Sequence, residues 1–173
     1  MNLDEMKQEV YEWAVSKGWE PDPGRIFADE CALLHSEVSE ALEAYRERGF
    51  EAWTEGENNK PCGVASELAD VLIRLLHYCH VHGFMLDPEY KLVYRGTSMS
   101  FATECAMMHW SITDALQCYV MVDNLASVSS PLSNLLALLK LSCELHGFDL
   151  EKEYRQKMDY NYTRSRRHGG KVM

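Results

Sequence analysis

Apolar residues recur along most of this chain at three-to-four spacing, the pattern of helices that bury one face. Met6, Val10 and Ala14 form such a stripe and predict a helix over 3–17, stopped by Gly18. After a stretch holding Pro21, Pro23 and Gly24, the pattern predicts helices over 26–48 and 63–82, ending at Gly49 and Gly83. Asp87-Pro88 reads as an N-cap and first helical position, predicting a short helix that reaches about Arg95. Further helices are predicted over 100–122, from Ser130-Pro131 to Gly147, and from Asp149 to Arg164. No segment alternates with period two for long enough to predict a strand. The fold class is all-α.

The pattern also repeats. FADECALLHSEVSEALEAYR (27–46) matches FATECAMMHWSITDALQCYV (101–120) at nine of twenty positions, an offset of 74. CHVHGFMLDPEY (79–90) matches CELHGFDLEKEY (143–154) at seven of twelve, an offset of 64. The expectation is a duplicated helical hairpin within one domain spanning 1–173, its copies running over about 27–95 and 101–164. The first copy keeps a connecting loop, Gly49 to Cys62, about ten residues of which the second has lost. The second hairpin is expected to pack on the first as a pseudo-twofold partner.

The two copies differ in their acids. The first carries Glu37-x-x-Glu40 on one helix and Glu67-x-x-Asp70 on the next, each pair on one helix face. Packed side by side among Leu33, Leu34, Val38, Leu68, Val71 and Leu72, these carboxylates would repel one another in a poorly solvated place. A hard divalent cation relieves that, and an all-oxygen shell suits Mg²⁺ or Mn²⁺. The second copy has Ser111, Asp114, Pro131 and Asn134 at the matching positions, so packing alone does not demand the acids. A cationic and amide stripe, Lys157, Asn161 and Arg164, lies at i, i+4 and i+7 of the last helix. Residues 164–173 add a basic tail with four Lys/Arg and no acid. With Gly169 and Gly170 adjacent, the tail is expected to be mobile without ligand, its Lys171 a phosphate clamp.

The chain is acidic overall, with a formal net charge of -10. That argues against a general nucleic-acid binder, which needs a basic face. No apolar run approaches a membrane span, and the start carries Asp4 and Glu5 where a signal peptide would be uncharged. Six cysteines without a C-x-x-C pair read as reduced thiols, and the chain is expected to be cytoplasmic. His77, Cys79, His80 and His82 fall on different helix faces and read as structural helix-end residues, not a zinc site. Glu-x-x-His pairs in register with the acids are missing, which argues against a di-iron bundle.

Glu37-x-x-Glu40, twenty-six residues, then Glu67-x-x-Asp70 resembles the metal motif of the MazG-like and dimeric-dUTPase superfamily of all-α nucleoside triphosphate pyrophosphohydrolases. HSEVSEALEAYR (35–46), ASELADVLIRLL (65–76) and KMDYNYTRSRRHGGK (157–171) are similar in local text. One departure is Ser36, where MazG proper has a glutamate before the first motif acid. The resemblance implies a MazG-like helical bundle that converts a (d)NTP and water to the monophosphate and diphosphate, in dNTP pool control or house-cleaning. It implies roughly two or three Mg²⁺ ions on Glu37, Glu40, Glu67 and Asp70, with Glu40 favoured as general base, and assembly into a homodimer. Lys157, Arg164 and Lys171 become candidate phosphate ligands and Asn161 a reader of a base edge. Arg74 either reaches a phosphate or pairs with Asp70. Trp19 is a candidate base-stacking residue, with Phe27 and His35 weaker ones because Phe101 and His109 repeat them. The rival class is a non-catalytic helical nucleotide-binding or regulatory module that retains the fold.

Overall fold

The structure is a computed structural model and describes residues 2–20, 22–92, 99–121 and 125–170. It is mostly helical: α1 (Leu3–Ser16), α2 (Phe27–Arg48), α3 (Val64–His82), α4 (Phe101–Met121), α5 (Leu125–His146) and α6 (Leu150–Thr163). Local chemistry sets several ends. The Asn2 side chain accepts from the Asp4 and Glu5 N–H groups to start α1, and Asp149 accepts from Lys152 N–H to start α6. None of the described helices is long and apolar enough to cross a membrane.

The hydrophobic core is organised around α3. Its buried positions run almost continuously from Val64 to Cys79, because α1, α2, α5 and α6 all pack on it. A helix enclosed this way can aim polar groups only where a neighbouring helix leaves a gap. Glu67 and Asp70 use such a gap between α2 and α6.

The two sequence copies meet reciprocally. Phe27 at the start of α2 packs on Tyr119 near the end of α4, centroids 5.0 Å apart. Tyr45 near the end of α2 packs on Phe101 at the start of α4, at 5.2 Å. Between them the His35 and His109 rings stack, their Nδ1 atoms 2.8 Å apart. Phe27/Phe101, Tyr45/Tyr119 and His35/His109 are all pairs at the offset of 74. Residue i meeting j′ while i′ meets j, with one residue meeting its own counterpart, is the contact logic of a twofold axis. The Glu30–His82 hydrogen bond likewise has its counterpart in Glu104–His146.

Three expectations change. Residues 53–62 are not a plain loop: β1 (Trp53–Glu55) and β2 (Lys60–Cys62) pair antiparallel, Trp53 opposite Cys62. The described part of the segment after Asp87 is not helical. Asp87 Oδ1 accepts from Glu89 N–H in a local turn, and Asp87 N–H donates to Ser133 Oγ on α5. Lys140 holds the Pro88 carbonyl, so backbone groups a helix would use are committed to α5. Residues 93–98 lie outside the described residues. Finally, α5 begins six residues before Pro131 rather than at it. Proline inside a helix costs about 3 kcal/mol, and the extra turn offsets this by burying Val128.

Gly63 is the joint between hairpin and α3. Its φ is 109°, and a Cβ there would lie 2.8 Å from the Glu51 carbonyl oxygen. Gly83 also has a positive φ, 69°, in the left-handed helical region, but a Cβ there meets nothing within 4 Å. Gly63→Ala is therefore expected to destabilise by about 2–3 kcal/mol and Gly83→Ala by about 1 kcal/mol. Equilibrium urea unfolding of the two variants checks this, and equal losses would contradict the steric argument.

Candidate active site

Where α2, α3 and α6 converge, a cleft of about 350 Å³ opens, its far end reached by α1 and the carboxyl-terminal segment. Glu37 from α2 and Glu67 and Asp70 from α3 place carboxylate oxygens within 4.8 Å of one another. Glu37 and Glu67 are buried, Asp70 half-buried. Three of the four expected acids thus converge. Glu40 lines the same cleft from an exposed position outside that group, its Oε1 accepting from Ser36 Oγ at 3.1 Å. Ser36, which precedes Glu37, therefore holds the fourth acid by a hydrogen bond.

Lys157 lies among the acids. Its side chain is 2% exposed, with Nζ 2.9 Å from Asp70 Oδ2 and 3.9 Å from Glu67 Oε1. Nζ also donates to Ser66 Oγ and to the Pro61 carbonyl, which β2 presents. Expected as a phosphate ligand, Lys157 is here the counter-ion of the acid group. Arg74 is likewise committed, though to Glu37 and not to Asp70. Its Nε donates to Glu37 Oε1 at 2.5 Å and Nη1 to the Tyr78 hydroxyl at 3.2 Å.

The electrostatics follow from this crowding. Burial pushes the Glu67 carboxyl up to about 7, aided by Asp70 and Glu37 and opposed by Lys157 and Lys60. Burial also raises Glu37, against the pull of Arg74. For Lys157 burial favours the neutral amine, but Asp70 and Glu67 outweigh it and the net shift is upward. Burial lowers Arg164. All donors are carboxylate oxygens, so the group fits a hard divalent cation such as Mg²⁺ or Mn²⁺, whose charge would favour the ionised acids.

Of the remaining candidates, Asn161 and Arg164 line the cleft on the same α6 stripe as Lys157, and Trp19 lines it from the loop after α1. Lys171 lies outside the described residues. Phe27 and His35 are not in the cleft: Phe27 is core beside Phe84, and His35 sits at the twofold contact. The sequence reading missed Trp13, Lys60, Tyr78 and His168 as lining residues. It also assigned His77 a purely structural place, whereas His77 lines the cleft and pairs with Glu20 at 3.3 Å. A helical wheel signals Arg74 and Tyr78, which continue the face of Asp70. Trp13, Lys60 and His168 come from distant parts of the chain and carry no local signal.

The tail also departs from expectation. Residues 165–170 fold onto the turn after α1: Arg167 N–H donates to the Lys17 carbonyl at 2.9 Å and Arg167 Nε to the Gly18 carbonyl at 2.8 Å. Lys17 Nζ in turn donates to the carbonyls of Tyr162 and Arg164. One of these bonds joins backbone to backbone and the other three run from the basic side chains Arg167 and Lys17 to backbone carbonyls, so the cations themselves give this glycine-containing segment a defined place.

The counterpart of the acid group shows what the same packing does without charge. At the positions of Glu37 and Asp70 the second copy has Ser111 and Asn134, and Asn134 Nδ2 donates to Ser111 Oγ at 2.6 Å.

Glu67 gives a pH prediction. With its carboxyl at about 7 in the folded chain and 4.5 as the reference value, the native state holds more protons between those limits. Metal-free stability is therefore expected to fall as pH rises from about 4.5 to about 7. Glu67→Gln should flatten that slope and Mg²⁺ should oppose it, both readable as melting temperature against pH with and without EDTA.

Comparison with protein-family models, curated proteins and solved structures finds no match, so the functional reading rests on the cleft's own geometry.

Proposed function

We propose that this chain is a Mg²⁺-dependent nucleoside triphosphate pyrophosphohydrolase, converting a (d)NTP and water to the monophosphate and diphosphate. The observation that carries the reading is the acid group itself: Glu37, Glu67 and Asp70 within 4.8 Å of one another, walling one cleft with Arg74, Lys157, Asn161 and Arg164. An acid group alone suits any divalent ion. Acids facing several cations and an amide suit a polyanion that arrives with its metal.

Glu37, Glu67 and Asp70 would hold the metal. When bound, it supplies charge neutralisation for the triphosphate and lowers the pKa of a water. The chain's own groups do the rest. Glu40, exposed on the cleft wall and oriented by Ser36, accepts the proton of the water that attacks the α-phosphorus. Arg164, less tightly committed than Arg74, neutralises charge on the leaving diphosphate. Lys157, buried on Asp70 and Glu67, stabilises the acids before the metal arrives and remains at hand as a phosphate partner afterwards.

Two measurements test the proposal. Turnover in ¹⁸O-water should label the monophosphate, since the bond formed is to the α-phosphorus; label in orthophosphate, or release of a nucleoside diphosphate, would refute it. Asp70→Asn and Glu67→Gln should each lower kcat by about a hundredfold or more, while the helical circular-dichroism spectrum is retained. Near-normal activity in either variant would remove the acid group from the mechanism.

A further inference from the structure

The cleft has a second, chemically different end. Trp13 and Ala14 of α1, Trp19, and Ile73 and His77 of α3 line it, and His168 comes from the carboxyl-terminal segment. The His168 ring sits edge-on to Trp19, centroids 5.4 Å apart, and tilted against Trp13 at 6.0 Å. Trp13 is about nine-tenths buried, and its indole Nε1 meets no hydrogen-bond acceptor among the described residues. A buried donor left unpaired costs about 1–3 kcal/mol, a cost that a ligand acceptor at this end of the cleft would remove.

The segment that delivers His168 is held under backbone strain. Arg167, His168 and Gly169 have φ of 45°, 48° and 88°, and the first two are not glycine. Left-handed conformations cost such residues about 1–2 kcal/mol each, and they persist only where the surroundings over-determine them. Here the Lys17 and Gly18 carbonyls anchor Arg167, whose guanidinium carbon lies 5.8 Å from the Trp19 ring centre. Gly18 completes the fit, since a Cβ there would lie 2.5 Å from Arg166 Nε. The strap cannot shift without breaking these bonds, and what the strained turn achieves is the placement of one ring in the cleft.

Resting on the nucleotide reading above, we infer that this strap belongs to the specificity machinery. By seating His168 against Trp13 and Trp19, it closes the far end of the cleft into a compartment for a planar heteroaromatic base. The Trp13 indole N–H donates there to a carbonyl or ring nitrogen on the base edge. Aromatic walls supply apolar contact and ring-on-ring attraction, and the indole donor supplies orientation.

The test is calorimetric binding of the full-length, Mg²⁺-loaded chain to α,β-methylene nucleoside triphosphates of each common base and to inorganic tripolyphosphate. Trp13→Phe keeps a ring and removes the donor; His168→Ala removes the strap's wall. Each is expected to weaken the preferred nucleotide about tenfold and to leave tripolyphosphate within about twofold of wild type. Should Trp13→Phe fail to fold, His168→Ala alone decides. Unchanged nucleotide affinity in the folded variants would overturn the inference, as would equal losses for nucleotide and tripolyphosphate. If wild type binds tripolyphosphate as tightly as every nucleotide, the base compartment falls while the phosphohydrolase reading stands. If wild type binds neither, both fall.

Discussion

Glu37, Glu67 and Asp70 sit within 4.8 Å of one another, two of them buried, and like charges so placed cannot all ionise without help. Most of what distinguishes this molecule from a plain helical bundle answers that constraint. Lys157 is brought from the far end of the chain to lie 2.9 Å from Asp70, and Arg74 turns onto Glu37. Glu67, least compensated, keeps an elevated pKa instead. The hairpin β1–β2 contributes as well, because the Pro61 carbonyl caps both the Ser66 hydroxyl and the Lys157 ammonium. A glycine at a place with no room for a Cβ joins that hairpin to the helix bearing two of the acids, so the backbone geometry at Gly63 and the charge balance of the cleft are parts of one arrangement.

The second copy isolates what the charges are for. Its helices α4 and α5 pack on each other as α2 and α3 do, and the aromatic contacts between α2 and α4 are reciprocal. Yet Ser111 and Asn134 stand where Glu37 and Asp70 would be and simply hydrogen-bond to each other. A neutral pair closes the gap at no electrostatic cost. The acids in the first copy therefore oppose stability locally, which natural proteins accept chiefly at functional sites. The two copies have divided the work: one carries the acids, while the ending that follows the other carries the cations and the strap.

Much of this was legible along the chain. The three-to-four spacing located every long helix, and all their ends but the start of α5 to within a residue or two, because helix existence depends on which side chains share a face, and that is local. The acid pairs and the Lys157, Asn161, Arg164 stripe were visible for the same reason. The repeat was visible as identities, and it ranked Phe27 and His35 below Trp19 as base-stacking candidates because Phe101 and His109 repeat them; the structure leaves both outside the cleft. Where local rules failed, a distant part of the chain had intervened. Asp87-Pro88 has the chemistry of a helix start, but Ser133 and Lys140 hold its backbone. Pro131 has the chemistry of a helix start too, but burial of Val128 extends the helix past it.

The sequence by itself determined the all-α class, the membership of each helix face and the acid pairs and cationic stripe of the cleft, because these follow from periodicity and composition. Only the tertiary structure decided which groups became partners. That Lys157 serves the acids, that Arg74 takes Glu37, that Glu40 stays at the rim and that His168 joins Trp13 and Trp19 all depend on distances between segments far apart in the chain. Pairing energies fall steeply with separation and with solvent exposure. A shift of a single helix turn would have given the same sequence a different set of bonds.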